Sequence, residues 1–230
     1  MMAVADPTLR VERALFRSGA QYVIGLDEVG RGALAGPVAV GAALIAGSRR
    51  KIPEGLRDSK MLSEKRREEL APVAASWALQ SAVGLASCDE VDELGLTICL
   101  GLAARRALAA LADAGAPMAE SVVLLDGNWD YVNRGMAEQV PVQTRIKADR
   151  DCASVAAASV IAKVHRDRLM IDRHALEPRY GWAGNKGYAS PEHMAAIREH
   201  GPSDFHRRTW LHSPPEMLPG MEDIELGNHG

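Results

Sequence analysis

Tyr22-Val23-Ile24-Gly25-Leu26-Asp27-Glu28 is the stretch that decides the fold. It is a short apolar run that ends in two acids, and it passes through Gly30, Gly32 and Gly36 into a second apolar run at 38–46. The pattern predicts a strand, a glycine-rich turn and an antiparallel partner. Downstream, residues 63–75 are charged and alanine-rich and read as a helix, and Trp77 to Ala86 as a third strand. Ser87 or Asp89 is placed to cap the next helix, in which Val91, Leu94, Ile98, Leu102 and Leu108 keep helical spacing until Gly115-Ala116-Pro117. Ser121 to Leu125 reads as a buried strand that also ends in an acid, Asp126, followed by Gly127-Asn128. A short strand over 141–147 and a long alanine-rich helix over 151–173 follow. Pro178, Gly181, Gly184 and Gly187 predict a loop, and 191–199 a last short helix. No internal repeat is present. Strands mixed with crossing helices imply an α/β sheet covered by helices.

With 230 residues, 47% of them hydrophobic and 25% charged, the chain has enough apolar material for one compact domain with a sizeable core. Cys88, Cys99 and Cys152 are odd in number and lack paired metal-ligand spacing, so they are read as structural and a reducing cytoplasm as the setting. No apolar run reaches the roughly 20 residues of a membrane span, and the start lacks a secretory apolar segment. A soluble, cytoplasmic protein without membrane contact is expected.

The formal net charge of -3 excludes a nonspecific polycation but conceals its distribution. Arg49, Arg50, Lys51, Arg57, Lys60, Lys65, Arg66 and Arg67 crowd one stretch, and a second basic stretch runs from Arg145 to Arg179. Such runs either meet phosphate or form a solvated face. From Ser213 the tail has Glu216, Glu222, Asp223 and Glu225, no Lys or Arg, three prolines and three glycines; it reads as a disordered acidic tail.

The chemistry lies in where the acids fall. Carboxylates at strand ends, Asp27 and Glu28 on one and Asp126 on another, repel each other unless something compensates them. Divalent ions relieve that repulsion, and two of them about 3.5–4 Å apart clamp both oxygens of a phosphodiester displacement. From spacing alone, a turn with both acids solvated explains Asp27-Glu28 equally well, and Asp-Gly at 126–127 is a common turn pair.

The wider pattern is specific. Gly25-Leu26-Asp27-Glu28-Val29-Gly30-Arg31-Gly32 with Gly36-Pro37-Val38 resembles the opening motif of the type 2 ribonucleases H. Asp58-Ser59-Lys60, Leu125-Asp126-Gly127-Asn128 and Lys147-Ala148-Asp149 resemble later elements of that family, in its order. Ala156 to Arg168 is similar to its signature helix, and Lys186-Gly187-Tyr188, Gly201-Pro202-Ser203 and His206-Arg207 to its C-terminal elements. Met61, Ala148 and Asn185 depart from the common pattern without touching an acid of the expected metal set. Type 3 relatives carry an extra N-terminal substrate-binding domain, for which the segment before Tyr22 leaves no room.

The resemblance implies an RNase H-like fold, a mixed β-sheet flanked by helices with a small helical C-terminal region. It divides the chain into an N-terminal arm at 1–19, a catalytic domain at 20–210 and the tail at 211–230. It also implies Asp27, Glu28, Asp126 and Asp149 as catalytic residues and ligands of Mg²⁺ or Mn²⁺, with Asp151 serving as an N-cap or first-turn acid of the long helix instead. Gly30, Arg31, Gly32, Lys60, Lys163, Arg166 and Tyr188 would contact substrate. The glycine turn would let backbone reach the 2′-hydroxyl that distinguishes RNA from DNA, and Tyr188 would stack near the junction. The implied activity is endonucleolytic, 5′ of a ribonucleotide, on RNA–DNA hybrids and on single ribonucleotides in duplex DNA. Products would carry a 3′-hydroxyl and a 5′-phosphate, and the protein is expected to act as a monomer. A noncatalytic hybrid-binding module would be free to lose an acid, and all four are present. A Holliday-junction or integrase-type nuclease would lack the Gly30-Arg31-Gly32 turn paired with a Tyr188-like residue. His165, His174, His193, His200 and His206 show no metal spacing and receive no catalytic role.

Overall fold

A computed structural model describes residues 6–49, 51–134 and 139–211. Arg50 and the acidic tail from 212 onward lie outside the described residues. Among the described residues five strands form one mixed sheet in the order β3-β2-β1-β4-β5. Strand β1 (Tyr22–Val29) is antiparallel to β2 (Val38–Ala46), which is antiparallel to β3 (Gln80–Ala86). On its other side β1 is parallel to β4 (Ser121–Asp126), and β4 is parallel to β5 (Val142–Arg145). The mixed sheet matches the α/β expectation.

Helices cover both faces, as a sheet buried on both sides requires. On one face α6 (Ala153–Leu176) and α2 (Glu64–Trp77) pack over Val23, Ala43, Ile45 and Leu124. On the other α4 (Leu96–Asp113) packs over Ile24, Leu26, Val40 and Leu125. Helix α6 lies unusually close to β1. A Cβ on Gly25 would stand 2.3 Å from the Ser154 carbonyl carbon, so only glycine lets helix and strand meet there. A third, smaller core of Ala35, Met170, Tyr180, Trp182 and Ala196 joins the C-terminal α7 (Trp182–Asn185) and α8 (Pro191–His200) to the glycine-rich turn.

Several elements differ from their sequence expectation. Trp77 closes α2 and the third strand begins only at Gln80. The helix expected after Ser87 is two helices, α3 (Cys88–Leu94) and α4, because Gly95 adopts φ +80° between them. Ser87 caps α3 in a reciprocal box with Glu90. Asp151 closes the one-turn helix α5 (Ala148–Asp151), and Cys152 stands at the N-cap of α6. The loop expected from Pro178 holds a 3₁₀ turn and α7. The N-terminal arm contains α1 (Arg10–Arg17), whose buried Glu12 accepts from both the Ser154 N–H and its hydroxyl at 2.9 Å. That carboxylate tops α6, where a helix favours negative charge.

Candidate active site

Strand register builds the site. Leu26 pairs with Leu125 across parallel β1 and β4, so Asp27 and Asp126 follow at the same ends of neighbouring strands. Asp149 arrives on α5, which Lys147 turns toward them with φ +62°. Asp126 Oδ1 accepts from the Ala148 N–H at 2.6 Å and the Asp149 N–H at 3.4 Å, which ties α5 to the end of β4. Carboxylate oxygens of Asp27, Asp126 and Asp149 all lie within 4.8 Å of one another. Three hard oxygen donors at that separation suit a divalent cation of the Mg²⁺ or Mn²⁺ kind.

Glu28 is not in that group. Consecutive residues of a strand point to opposite faces, so Asp27 turns toward α6 and Glu28 toward α4. There Tyr131 donates its hydroxyl to Glu28 Oε2 at 3.2 Å, and Arg31 approaches Oε1 at 3.5 Å. The structure therefore brings together three of the four acids expected from sequence and leaves Glu28 beside them. The buried Tyr131 was not foreseen: a tyrosine in a loop four residues beyond Gly127 has no local signature of this contact.

Burial, first of all, pushes the Asp27 carboxyl well above the ordinary carboxylate range. A hydrogen bond from Ser159 opposes the shift, and the charges of Glu28 and Asp126 add to it. Asp126 is raised for the same reason, with the Asp149 charge next in size. Asp58 is raised by burial too, and by Asp149 beside it, so a further acid borders the site although the sequence singled it out only as part of a motif. Lys60 answers this negative charge. Its Nζ lies 3.2 Å from Asp149 Oδ2; burial works against its charge, but Asp27, Asp58 and Asp149 outweigh that and raise it.

Beside the acids runs a groove of about 240 Å³ lined by Gly30, Arg31, Gly32, Lys60, Lys163 and Tyr188, among others. Six of the seven residues expected at the substrate thus share one surface. Arg166 corrects the expectation for the seventh. It is fully buried and donates to the carbonyls of Pro37, Lys186 and Ala35 at 2.8–2.9 Å. With every arm of the guanidinium used inside the protein, it has no face for a phosphate. Arg207, equally buried, holds the carbonyls of Gly30, Arg31 and Gly36 at 2.7–3.1 Å. Among the described residues nothing accepts from the N–H groups of Arg31 and Gly32, and both residues are exposed. Gly30 adopts φ +82° and a Cβ there would meet Arg166 Nε at 2.2 Å, whereas a Cβ on Gly32 meets nothing within 4 Å.

Several arginines of the basic stretches are already engaged. Arg57 pairs with Asp6, Arg66 with Glu69 and Arg168 with Glu68, and Arg67 donates to the carbonyls of Ser59 and Leu62. Lys163 pairs with Asp167 at 2.6 Å on the groove wall. The three cysteines are buried free thiols, in keeping with a structural role.

The family model described as Ribonuclease HII matches residues 24–213. The chain belongs to the ribonuclease HII family. A ribonuclease HII from Streptomyces griseus is 49% identical over 230 residues, covering 97% of this chain and 91% of that protein. One from Streptomyces avermitilis is 48% identical over 212 residues, covering 92% and 86%. The crystal structure of ribonuclease H2 from Pyrococcus horikoshii aligns with a TM-score of 0.64 at 28% identity, over 83% of this chain and 94% of that one. Family membership makes the chain a ribonuclease H, a hydrolase of the RNA strand in RNA–DNA hybrids. The same fold carries Bst-RNase HIII, solved with Mn²⁺, at a TM-score of 0.66 and 24% identity. No helix among the described residues is long and apolar enough to cross a membrane.

Proposed function

We propose that this ribonuclease H cuts on the 5′ side of a ribonucleotide, both in continuous hybrids and at a single ribonucleotide within duplex DNA, leaving a 3′-hydroxyl and a 5′-phosphate. One observation carries the proposal: the acid cluster of Asp27, Asp126 and Asp149 lies beside a groove lined by Gly30, Gly32, Lys60 and Tyr188, with Lys60 paired to Asp149. Asp27, Asp126 and Asp149 would hold Mg²⁺ or Mn²⁺, with Glu28 released from Tyr131 to complete the set. The raised Asp27 and Asp126 fit this role, since carboxylates whose charge is made costly by burial, and further by one another, are ones a cation stabilises. When bound, two divalent ions supply an activated water and charge for the leaving oxygen.

The chain's own residues do the rest. Lys60 and Lys163 stand on the groove wall where a phosphate backbone would pass, as point charges that position without reading sequence. The N–H groups of Arg31 and Gly32, exposed and without an acceptor among the described residues, would donate to a 2′-hydroxyl, the group absent from DNA. Tyr188 presents a ring for stacking on the adjoining sugar; Lys163 and Arg166 back it at 5.8 and 5.5 Å. Against a rival nuclease of the same fold, this pairing of turn and tyrosine argues for ribonucleotide reading.

The test compares two duplexes, one with a single ribonucleotide and one with a continuous RNA strand, in Mg²⁺ and in Mn²⁺, with product ends mapped. Tyr188→Ala should slow the single-ribonucleotide cut about tenfold or more, the value of one stacking contact. Cleavage 3′ of the ribonucleotide, or no cleavage of that duplex by the wild type, would overturn the proposal.

A further inference from the structure

His193 and His206 are both buried, and no step of the reaction uses them. Their hydrogen bonds nonetheless form one continuous chain that ends at Tyr188. The Ser203 N–H lies 3.0 Å from His206 Nδ1. His206 Nε2 lies 3.1 Å from His193 Nε2. His193 Nδ1 lies 2.9 Å from the Tyr188 carbonyl oxygen, and Trp182 Nε1 lies 3.1 Å from His193 Nε2.

Groups that cannot change role, the Tyr188 carbonyl and the N–H groups of Trp182 and Ser203, fix the ring protons. The Tyr188 carbonyl can only accept, so His193 carries its proton on Nδ1. The Trp182 N–H can only donate, so His193 Nε2 is bare. His206 then donates from Nε2, sharing the His193 Nε2 lone pair with Trp182, and its bare Nδ1 receives the Ser203 N–H and, at 3.0 Å, the Ser203 hydroxyl. Both rings are neutral, each in a single tautomer, and the two independent constraints on His193 agree. A further proton on His193 Nε2 would face two donors.

This chain acts on Tyr188 from one side while other bonds hold its surroundings. The Tyr188 N–H donates to the Asn185 carbonyl at 2.9 Å, and the preceding carbonyl, of Gly187, accepts from the Leu34 and Ala35 N–H groups. The peptide of Tyr188 is thus tied at N–H and C=O, and the segment before it is tied to the glycine-rich turn. The ring itself, half-buried, is left facing the groove.

We propose that His193 and His206 are positioning residues that aim Tyr188 at substrate through its backbone carbonyl, and so set selectivity for a single ribonucleotide over a continuous hybrid. The proposal rests on the reading of Tyr188 as a junction contact. It predicts different outcomes for two isosteric changes, because an asparagine amide falls near the place of Nδ1 and a glutamine amide near that of Nε2. His193→Asn keeps a donor for the Tyr188 carbonyl. His193→Gln keeps a partner for Trp182 and His206 and loses the tie to Tyr188.

The experiment measures the ratio of cleavage rates on the single-ribonucleotide and continuous-hybrid duplexes, with melting temperature as a control. His193→Gln should lower the ratio about tenfold, while His193→Asn stays within about threefold of the wild type, as expected for loss or retention of one buried hydrogen bond. His193→Gln combined with Tyr188→Ala should be no worse than Tyr188→Ala alone. ¹⁵N spectra of histidine-labelled protein at about pH 7.5 should show His193 protonated on Nδ1 and His206 on Nε2. Equal ratios for the Asn and Gln variants, with Tyr188→Ala still impaired, would overturn the role of the pair alone, as would a charged ring or the opposite tautomers. A wild-type ratio in Tyr188→Ala would instead overturn the junction reading, and the role of the pair with it.

Discussion

Gly30 and Gly32 stand two residues apart in one turn, yet substitution should separate their roles cleanly. At Gly30 a side chain must adopt φ +82° and displace Arg166, whose Nε would lie 2.2 Å from the new Cβ. A left-handed non-glycine residue costs about 1–2 kcal/mol. Disturbing a buried guanidinium that serves three carbonyls adds at least one charged hydrogen bond, about 1.5–3 kcal/mol. Gly30→Ala should therefore lose about 3 kcal/mol or more, which for a domain of this size lowers the melting temperature by about 6–12 °C. At Gly32 a Cβ meets nothing within 4 Å and the backbone is not left-handed. Gly32→Val should change stability by no more than about 0.5 kcal/mol, yet fill the space before the exposed N–H groups and cut single-ribonucleotide cleavage at least about tenfold. Thermal melts and cleavage rates on the same preparations decide. A Gly32→Val protein that melts with the wild type and cuts at its rate would show that this turn does not meet the sugar.

Other outcomes follow from the same geometry. In EDTA, Asp27→Asn should melt higher than the wild type at neutral pH: a carboxyl raised by burial opposes folding once ionised, so the gain is full above its folded pKa and vanishes as pH falls to the unfolded value; a lower melting temperature at neutral pH would contradict the assigned burial. Asp151→Asn should cut at close to the wild-type rate, since among the described residues Asp151 pairs with the half-exposed Arg145 and Arg150 and with no other cation; a loss beyond about tenfold would move it into the site. Tyr131→Phe should shift the Mn²⁺ concentration giving half-maximal cleavage while leaving the melting temperature within a few degrees, and an unchanged metal requirement would remove Tyr131 from the control of Glu28.

What the sequence made legible was whatever repeats locally. Apolar runs marked β1, β2 and β4 and drew notice to the acids closing two of them, but position left Asp27 and Asp126 open to a turn reading, and the family resemblance is what implied them as ligands. The break at Gly95 was hidden because the apolar spacing on either side continues across it. The opposite faces of Asp27 and Glu28 follow from strand geometry, but adjacency in sequence suggested a shared site. Arg166 looked like a surface charge because the carbonyls that use it lie up to 131 positions away, and those that use Arg207 up to 177. The histidine chain was hidden for a different reason: each bonded pair lies within 13 positions, and Tyr188, Ser203 and His206 stand in motif elements, but nothing local joins a helix, two loops and a one-turn helix.

The acid cluster is tested most directly by the nicking of duplex DNA containing a single ribonucleotide, by the wild type and by Asp126→Asn in Mg²⁺. Asp126 joins β4 to α5 and lies in the three-acid cluster, and its asparagine variant keeps an oxygen to accept the Ala148 N–H, so the fold should persist. The wild type should nick once, 5′ of the ribonucleotide, and Asp126→Asn should retain its melting temperature while losing most cleavage, about a hundredfold or more. Full activity in Asp126→Asn would contradict the assignment of the acid cluster as the catalytic centre.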